Sequence, residues 1–148
     1  MPNISLAYQH GGPLIQVSVG LSKPHTDALI ASNQLVPPWV TGTFLIDTGA
    51  SGTCVDPDLV KPLGLAPSGA VMMQTPSTGA TPHQCFQYDV MLYIPPAKPG
   101  ELGHFVEALP VLETHLRPQG IDGLLGRDVL QSCVFIMNGP LGIATLSF

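Results

Sequence analysis

Apolar and polar positions alternate along much of this chain with the two-residue period of half-buried strands. Leu14-Ile15-Gln16-Val17-Ser18-Val19 follows Gly11-Gly12-Pro13 and predicts a first strand entered from a turn; Met1 to Gly12 has little strand character. Trp39 to Ile46 predicts the next strand, with an irregularity at Thr41-Gly42, and Thr53-Cys54-Val55 continues extended. Val71 to Gln74 and Cys85 to Tyr93 read as a hairpin around Pro76 to Ala80, and Phe105 to Leu112 as a further strand. Val134 to Met137 and Gly142 to Leu146 flank Asn138-Gly139, a strong hairpin signal. Helical signals are few. Asp56 with Pro57 marks a short helix or turn, closed by Pro62, Gly64 and Pro67. Arg127 to Gln131 has room for one short helix, and Lys23 to Pro38 reads as a loop with at most one helical turn over Asp27 to Ala31. The pattern predicts an all-β chain with one short helix towards its C-terminus.

Composition narrows the function. The 148 residues, 45% of them hydrophobic, suit a single folded domain over 1–148. The cations Lys23, Lys61, Lys98, Arg117 and Arg127 are scattered singly in a chain of net charge -5, so no nucleic-acid-binding patch is expected. Only 10% of residues are charged, against roughly 25% in an average soluble domain. Much of the surface must therefore be neutral or apolar, as an oligomer interface or a substrate groove would be. Cys54, Cys85 and Cys133 are widely spaced and odd in number, which disfavours a disulfide framework and favours a reducing, cytoplasmic setting. The start lacks the pattern of a signal peptide. The long uncharged stretches Ala28 to Ile46 and Val129 to Phe148 are broken by Pro37-Pro38 and Asn138-Gly139-Pro140, so no membrane helix is expected.

The chemistry concentrates in Phe44-Leu45-Ile46-Asp47-Thr48-Gly49-Ala50-Ser51. An apolar strand that ends abruptly in Asp-Thr-Gly presents a carboxylate from a rigid element, ready for acid or base work. Alone, such a tripeptide is more often a turn. A second signal, Ile121-Asp122-Gly123-Leu124-Leu125-Gly126-Arg127, lets two backbone segments cross closely at glycine. Asp122 and Asp128 read as a turn residue and a helix-surface residue, Met72, Met73 and Met91 as packing, and Cys54 as buried. His83 and Cys85 lie on one strand face but form no recognisable ligand set with His104 or His115, so no metal and no cofactor are expected. No phosphate-binding glycine loop is present. Between Lys61 and Asp89 there is no formal charge, so the hairpin tip can cover a peptide without desolvating one.

Asp47-Thr48-Gly49-Ala50-Ser51 behind its apolar strand, with Leu124-Leu125-Gly126-Arg127 some eighty residues later, resembles the single-lobed retropepsin-type aspartic proteases over about residues 13–148. The resemblance implies a closed, all-β, homodimeric acid protease that cleaves peptide or protein substrates. Pepsin-like relatives carry two Asp-Thr-Gly copies and this chain carries one, so Asp47 would face its own symmetry mate. Thr48 would lock the two loops across the axis, and Gly49, Ala50 and Ser51 would complete the active-site loop. Thr75, Pro76, Ser77, Thr78, Gly79, Ala80 and Thr81 would form a flap pivoting at Gly79. Ala50 stands where pepsin-like enzymes have a hydroxyl, which implies a mildly acidic working range. Ser51 replaces an acid of the retroviral members, leaving Arg127 to pair with Asp56 or Asp58. Retroviral members interleave their termini, whereas here the apolar terminal hairpin is the expected contact. The alternative is a catalytically silent relative that dimerises or binds extended peptides.

Overall fold

Ile15, Val17 and Val19 point inward and Leu14 and Gln16 outward, so the alternation read from sequence builds β2 (Leu14–Leu21) as expected. The computed structural model describes residues 1–74 and 80–148. Within them β2 is followed by β3 (Val40–Ile46), β4 (Cys54–Val55), β5 (Gly69–Met73), β6 (His83–Ile94), β7 (His104–Glu113) and β8 (Gly123–Leu125). These form one sheet in the order β2-β3-β8-β4-β7-β6-β5, and β2 also pairs with β6. That extra pairing closes the sheet into a barrel and leaves the β5–β6 hairpin extending from it.

The step that matters most for the site is the placing of β8. It lies between β3 and β4, parallel to the first with Leu45 opposite Leu124, and antiparallel to the second with Cys54 opposite Leu124. Glycine makes the insertion feasible. A Cβ on Gly123 would collide with the ring of Phe44, a side chain with no solvent exposure.

Two regions differ from the sequence reading. Asn3–Ala7 is a strand, β1, paired with the C-terminal β10 (Ile143–Ser147), which in turn pairs with β9 (Val134–Asn138). Asn, Ser and Ala have weak strand propensity, so β1 forms because Ile4 and Leu6 pack against the core while β10 supplies the hydrogen bonds. Lys23–Ala31 is a helix, α1, rather than a loop. Pro24 sits in its first turn, where a missing N–H is harmless, and Lys23 and Asp27 pair at 2.9 Å one turn apart. No α1 residue is fully buried, so the helix lies on the surface of the barrel. Arg127–Leu130 forms a single helical turn, α3, and β9 and β10 follow it.

One cluster of buried side chains joins both sheets, running from Val17, Phe44 and Leu92 to Leu146. Among the described residues, no helix is long and apolar enough to cross a membrane. Asp56 caps α2 (Pro57–Val60) as the sequence predicts, accepting from the Asp58 N–H at 3.0 Å. It is only 2% exposed and also accepts from the N–H groups of Leu116 and Arg117 at 2.8 and 2.9 Å. Burial pushes its carboxyl up, but the N–H groups of Arg117, Leu116 and Asp58 and the Arg117 charge outweigh this and hold it below the usual carboxylate value.

Gly123→Ala should lower stability by about 1–3 kcal/mol, because the buried Phe44 ring has nowhere to move; urea denaturation followed by Trp39 fluorescence measures it. The depressed Asp56 value gives a second expectation. Since the folded value lies below the unfolded one, the stabilisation is present above the ordinary carboxylate range and is lost as pH falls through the folded value. The stability gap between wild type and Asp56→Asn should thus be largest near neutrality and shrink below about pH 4. A gap that stays constant on acidification would contradict this account.

Candidate active site

Asp47 is the first residue past β3, half-buried, with its backbone N–H donating to Leu125 O on β8 at 3.0 Å. The chain then turns at once. Gly49 N–H donates to Asp47 Oδ1 at 2.8 Å and Ala50 N–H to Asp47 O at 3.2 Å, so the loop folds around its own carboxylate. A Cβ on Gly49 would stand 3.1 Å from that Oδ1, which makes glycine the natural residue there. Among the described residues Asp47 Oδ2 has no hydrogen-bond partner, so one oxygen is committed to the loop and the other is available.

The second motif packs against this loop from behind. Leu124 and Leu125 carry β8, and a Cβ on Gly126 would lie 2.5 Å from the backbone carbonyl of Gly52. Arg127 N–H donates to Ala50 O at 3.0 Å, and the Arg127 guanidinium donates to Thr48 O at 2.9 Å and more weakly to Gly49 O at 3.4 Å. This corrects the expected pairing of Arg127 with Asp56 or Asp58. Asp56 is taken up by backbone N–H groups, Asp58 lies 3.7 Å from Arg117, and the carbonyls of the turning loop are the acceptors nearest to Arg127. Thr48 and Ser51 are exposed.

Two aspartates that read as bland in the sequence brace the site. Asp128 accepts from the Thr53 N–H at 2.8 Å and from Thr53 Oγ1 at 2.7 Å, and Thr53 Oγ1 accepts from the Gly126 N–H at 3.1 Å. Thr53 is fully buried, so these bonds lock the end of the loop to the start of α3 in a protected setting. Asp122 accepts from the Thr43 N–H at 3.0 Å and from Arg117 Nε at 3.2 Å, fixing β3 from its outer side. For Asp128 the available signal is its place in the first turn of α3, a position that favours bonding to backbone N–H groups, whereas Asp122 stands just before β8 and carries no such local signal. The partner of Asp128, seventy-five residues away, was not readable.

In-register pairing aligns Leu45, Leu124, Cys54 and Leu112 across β3, β8, β4 and β7, and Leu45 lies two residues before Asp47. Leu116 and Ile121 complete this cluster, giving the carboxylate an apolar flank. Cys54 is buried there, and burial pushes its thiol up, which makes it a packing group rather than a ready nucleophile. A hollow of about 330 Å³ beside Asp47 is lined by His10 to Pro13, Leu45 to Thr48, Phe135 and Met137.

Of the expected flap, Thr75 to Gly79, including the expected pivot, lie outside the described residues. Ala80 and Thr81 are exposed, and Ala80 O accepts from Gln74 Nε2 at 3.2 Å, bridging the two arms of the hairpin. At its base Tyr88 OH donates to Glu113 Oε2 at 2.6 Å. Burial, this bond and the Glu113 charge push the phenol up to about 12, so the proton that makes the tie stays in place. His104 is instead bonded to Ser132 Oγ at 3.1 Å, and no three His, Cys, Asp or Glu groups converge among the described residues.

An aspartyl protease family matches residues 39–129, more than half the chain, a span that holds both Asp47 and Arg127. Among curated proteins none matches by sequence. Among solved structures, the crystal structure of a retropepsin-like aspartic protease from Rickettsia conorii is similar at a TM-score of 0.60 and 15% identity, over 99% of this chain and 90% of that one. The chain belongs to the aspartyl protease family and has a retropepsin-like fold.

Proposed function

We propose that this protein is an aspartic endopeptidase whose active site is assembled from two copies of the chain. The observation that carries the reading is the state of its acids. Among the described residues Asp47 presents an unpartnered Oδ2 from a braced loop, while Asp128, which braces that loop, is consumed by Thr53. With one Asp-Thr-Gly per chain, the second carboxylate is Asp47 of a twofold-related copy.

Two carboxylates about 3 Å apart do not both ionise, so they share one proton. The charged member takes a proton from a water molecule held between them, and the water oxygen attacks the peptide carbonyl carbon. The protonated member donates to the carbonyl oxygen. The resulting tetrahedral diol collapses as a proton passes to the amide nitrogen, the C–N bond breaks, and the pair returns to its one-proton state. Thr48, exposed at the rim, supplies the contact across the axis; Gly49, Ala50 and Ser51 shape the loop; residues Thr75 to Thr81 cover the substrate. Ala50 has no hydroxyl to favour the charged form, which supports a mildly acidic optimum. No cofactor takes part. The three free cysteines support a cytoplasmic setting.

For the contact between copies the edge strand β9 is the favoured surface. Among the described residues its ladder groups are unpaired on one side, and Val134 and Ile136 are 47% and 59% exposed. β10 is not itself an edge, since it lies between β1 and β9 with Ala144 and Leu146 in the core. Deleting Leu141 to Phe148 would therefore unfold the chain rather than separate two subunits.

Asp47→Asn should lower peptide cleavage near pH 5 by about 10²–10⁴-fold while leaving folding and dimer mass intact, as read with a mixed peptide library and sedimentation. Full activity in that variant would remove Asp47 from the reaction. Dimers that bind extended peptides but cut none, in wild type as in the variant, would identify a silent relative. Ile136→Lys should give a folded monomer whose activity is lost at concentrations where wild type is fully active; an unchanged dimer mass would move the interface away from β9.

A further inference from the structure

We infer that His10 is a specificity-determining residue, selecting substrates that carry an acidic side chain beside the scissile bond; this rests on the endopeptidase reading above. The hollow of about 330 Å³ beside Asp47 does not end there. A second hollow of about 470 Å³ runs on from it between the β1–β2 connection and the turn joining β9 to β10, and the two share His10, Gly12 and Met137. Together they make a track leading away from the reacting carboxylate, with His10 at the seam.

The lining of this track is almost free of charge. Its titratable groups are His10 and Asp47 in the first hollow and His10 and Tyr8 in the second. None of the five Lys and Arg residues lines either hollow, and Arg127 is engaged with the carbonyls of Thr48 and Gly49. His10 is therefore the one side chain along the track that can become positive. Its imidazole is exposed and makes no hydrogen bond or ion pair among the described residues, so nothing in its own chain competes for it. Gly11 and Gly12 follow it, and Gly12 has a φ of 84°, a left-handed conformation that turns the connection so that His10 and Pro13 line the same hollow.

Histidine gains its charge on the acid side of neutrality, the same range in which a shared-proton carboxylate pair works. In that range a substrate Asp or Glu is still ionised. An extended peptide leaving the carboxylate pair along this track passes His10, and an acidic side chain there gains an ion pair that its amide counterpart lacks. A twofold pair presents His10 twice, so the preference falls on one position on each side of the scissile bond.

The test uses two peptides identical except for Glu or Gln at the position that a library identifies, and compares kcat/KM for the two at pH 5 and pH 7.5. Titration of the carboxylate pair affects both peptides alike and cancels in the ratio. The Glu/Gln ratio should be about three- to fivefold at pH 5, fall towards one at pH 7.5, and shrink as salt is raised. In His10→Gln the ratio should be near one at both values. A wild-type ratio independent of pH, or a ratio retained in His10→Gln, would overturn the assignment while leaving the protease reading standing. Cleavage of neither peptide, nor of any library member, would instead overturn the protease reading and this inference with it. Should His10→Gln fail to fold, the pH and salt dependence of the wild-type ratio decides the matter.

Discussion

The site depends on one constraint: a three-residue strand must fit between two segments that are close neighbours in sequence. β8 enters between β3 and β4, and the carbonyl of Leu125 then receives the Asp47 N–H at 3.0 Å. The fit is possible because Gly123 and Gly126 bring no side chain to the places where Phe44 and the Gly52 backbone stand. Once β8 is in place, the loop from Asp47 to Thr53 has a fixed back wall. Its turn closes on itself, with Oδ1 of the carboxylate used as one of the fastenings.

Acids in this chain serve two ends that burial and partnering separate. Asp56, Asp122 and Asp128 each accept backbone N–H groups from segments distant in sequence and so act as fixed ties. Ionised carboxylates suit this because one group accepts several bonds, and each such bond is stronger than a neutral one. Asp47 differs in accepting one N–H from its own loop and, among the described residues, keeping its other oxygen unpartnered. Charged groups are few in this chain, and three of its acids hold the barrel around the loop. The same scarcity is what makes His10 conspicuous along the track beside Asp47.

The terminal sheet serves a different need. β1, β10 and β9 form a separate three-stranded layer that shares the barrel core through Leu146 and presents β9 as an open edge. Pairing both ends of the chain within one copy keeps that layer complete without a partner. An open apolar edge on a chain with one Asp-Thr-Gly is consistent with assembly that serves catalysis as well as stability.

Elements whose information is local are legible in the amino-acid order. Alternation specified β2, β3, the β5–β6 hairpin and β7; Asn138-Gly139 marked the last hairpin; Asp56-Pro57 marked α2; and the apolar strand ending in Asp-Thr-Gly singled out Asp47. The remaining features depend on contacts between segments far apart in the chain. β1 forms on a partner at the opposite end of the chain, which supplies what Asn3 and Ser5 lack in propensity. In α1, Pro24 starts the helix instead of breaking it, a matter of where the first turn falls. Arg127 turned to the carbonyls of Thr48 and Gly49, and Asp128 to Thr53, because packing brought those groups within reach. Local pattern sets which face of a segment is buried; a hydrogen bond between residues seventy-five apart exists only after every strand between them has found its place.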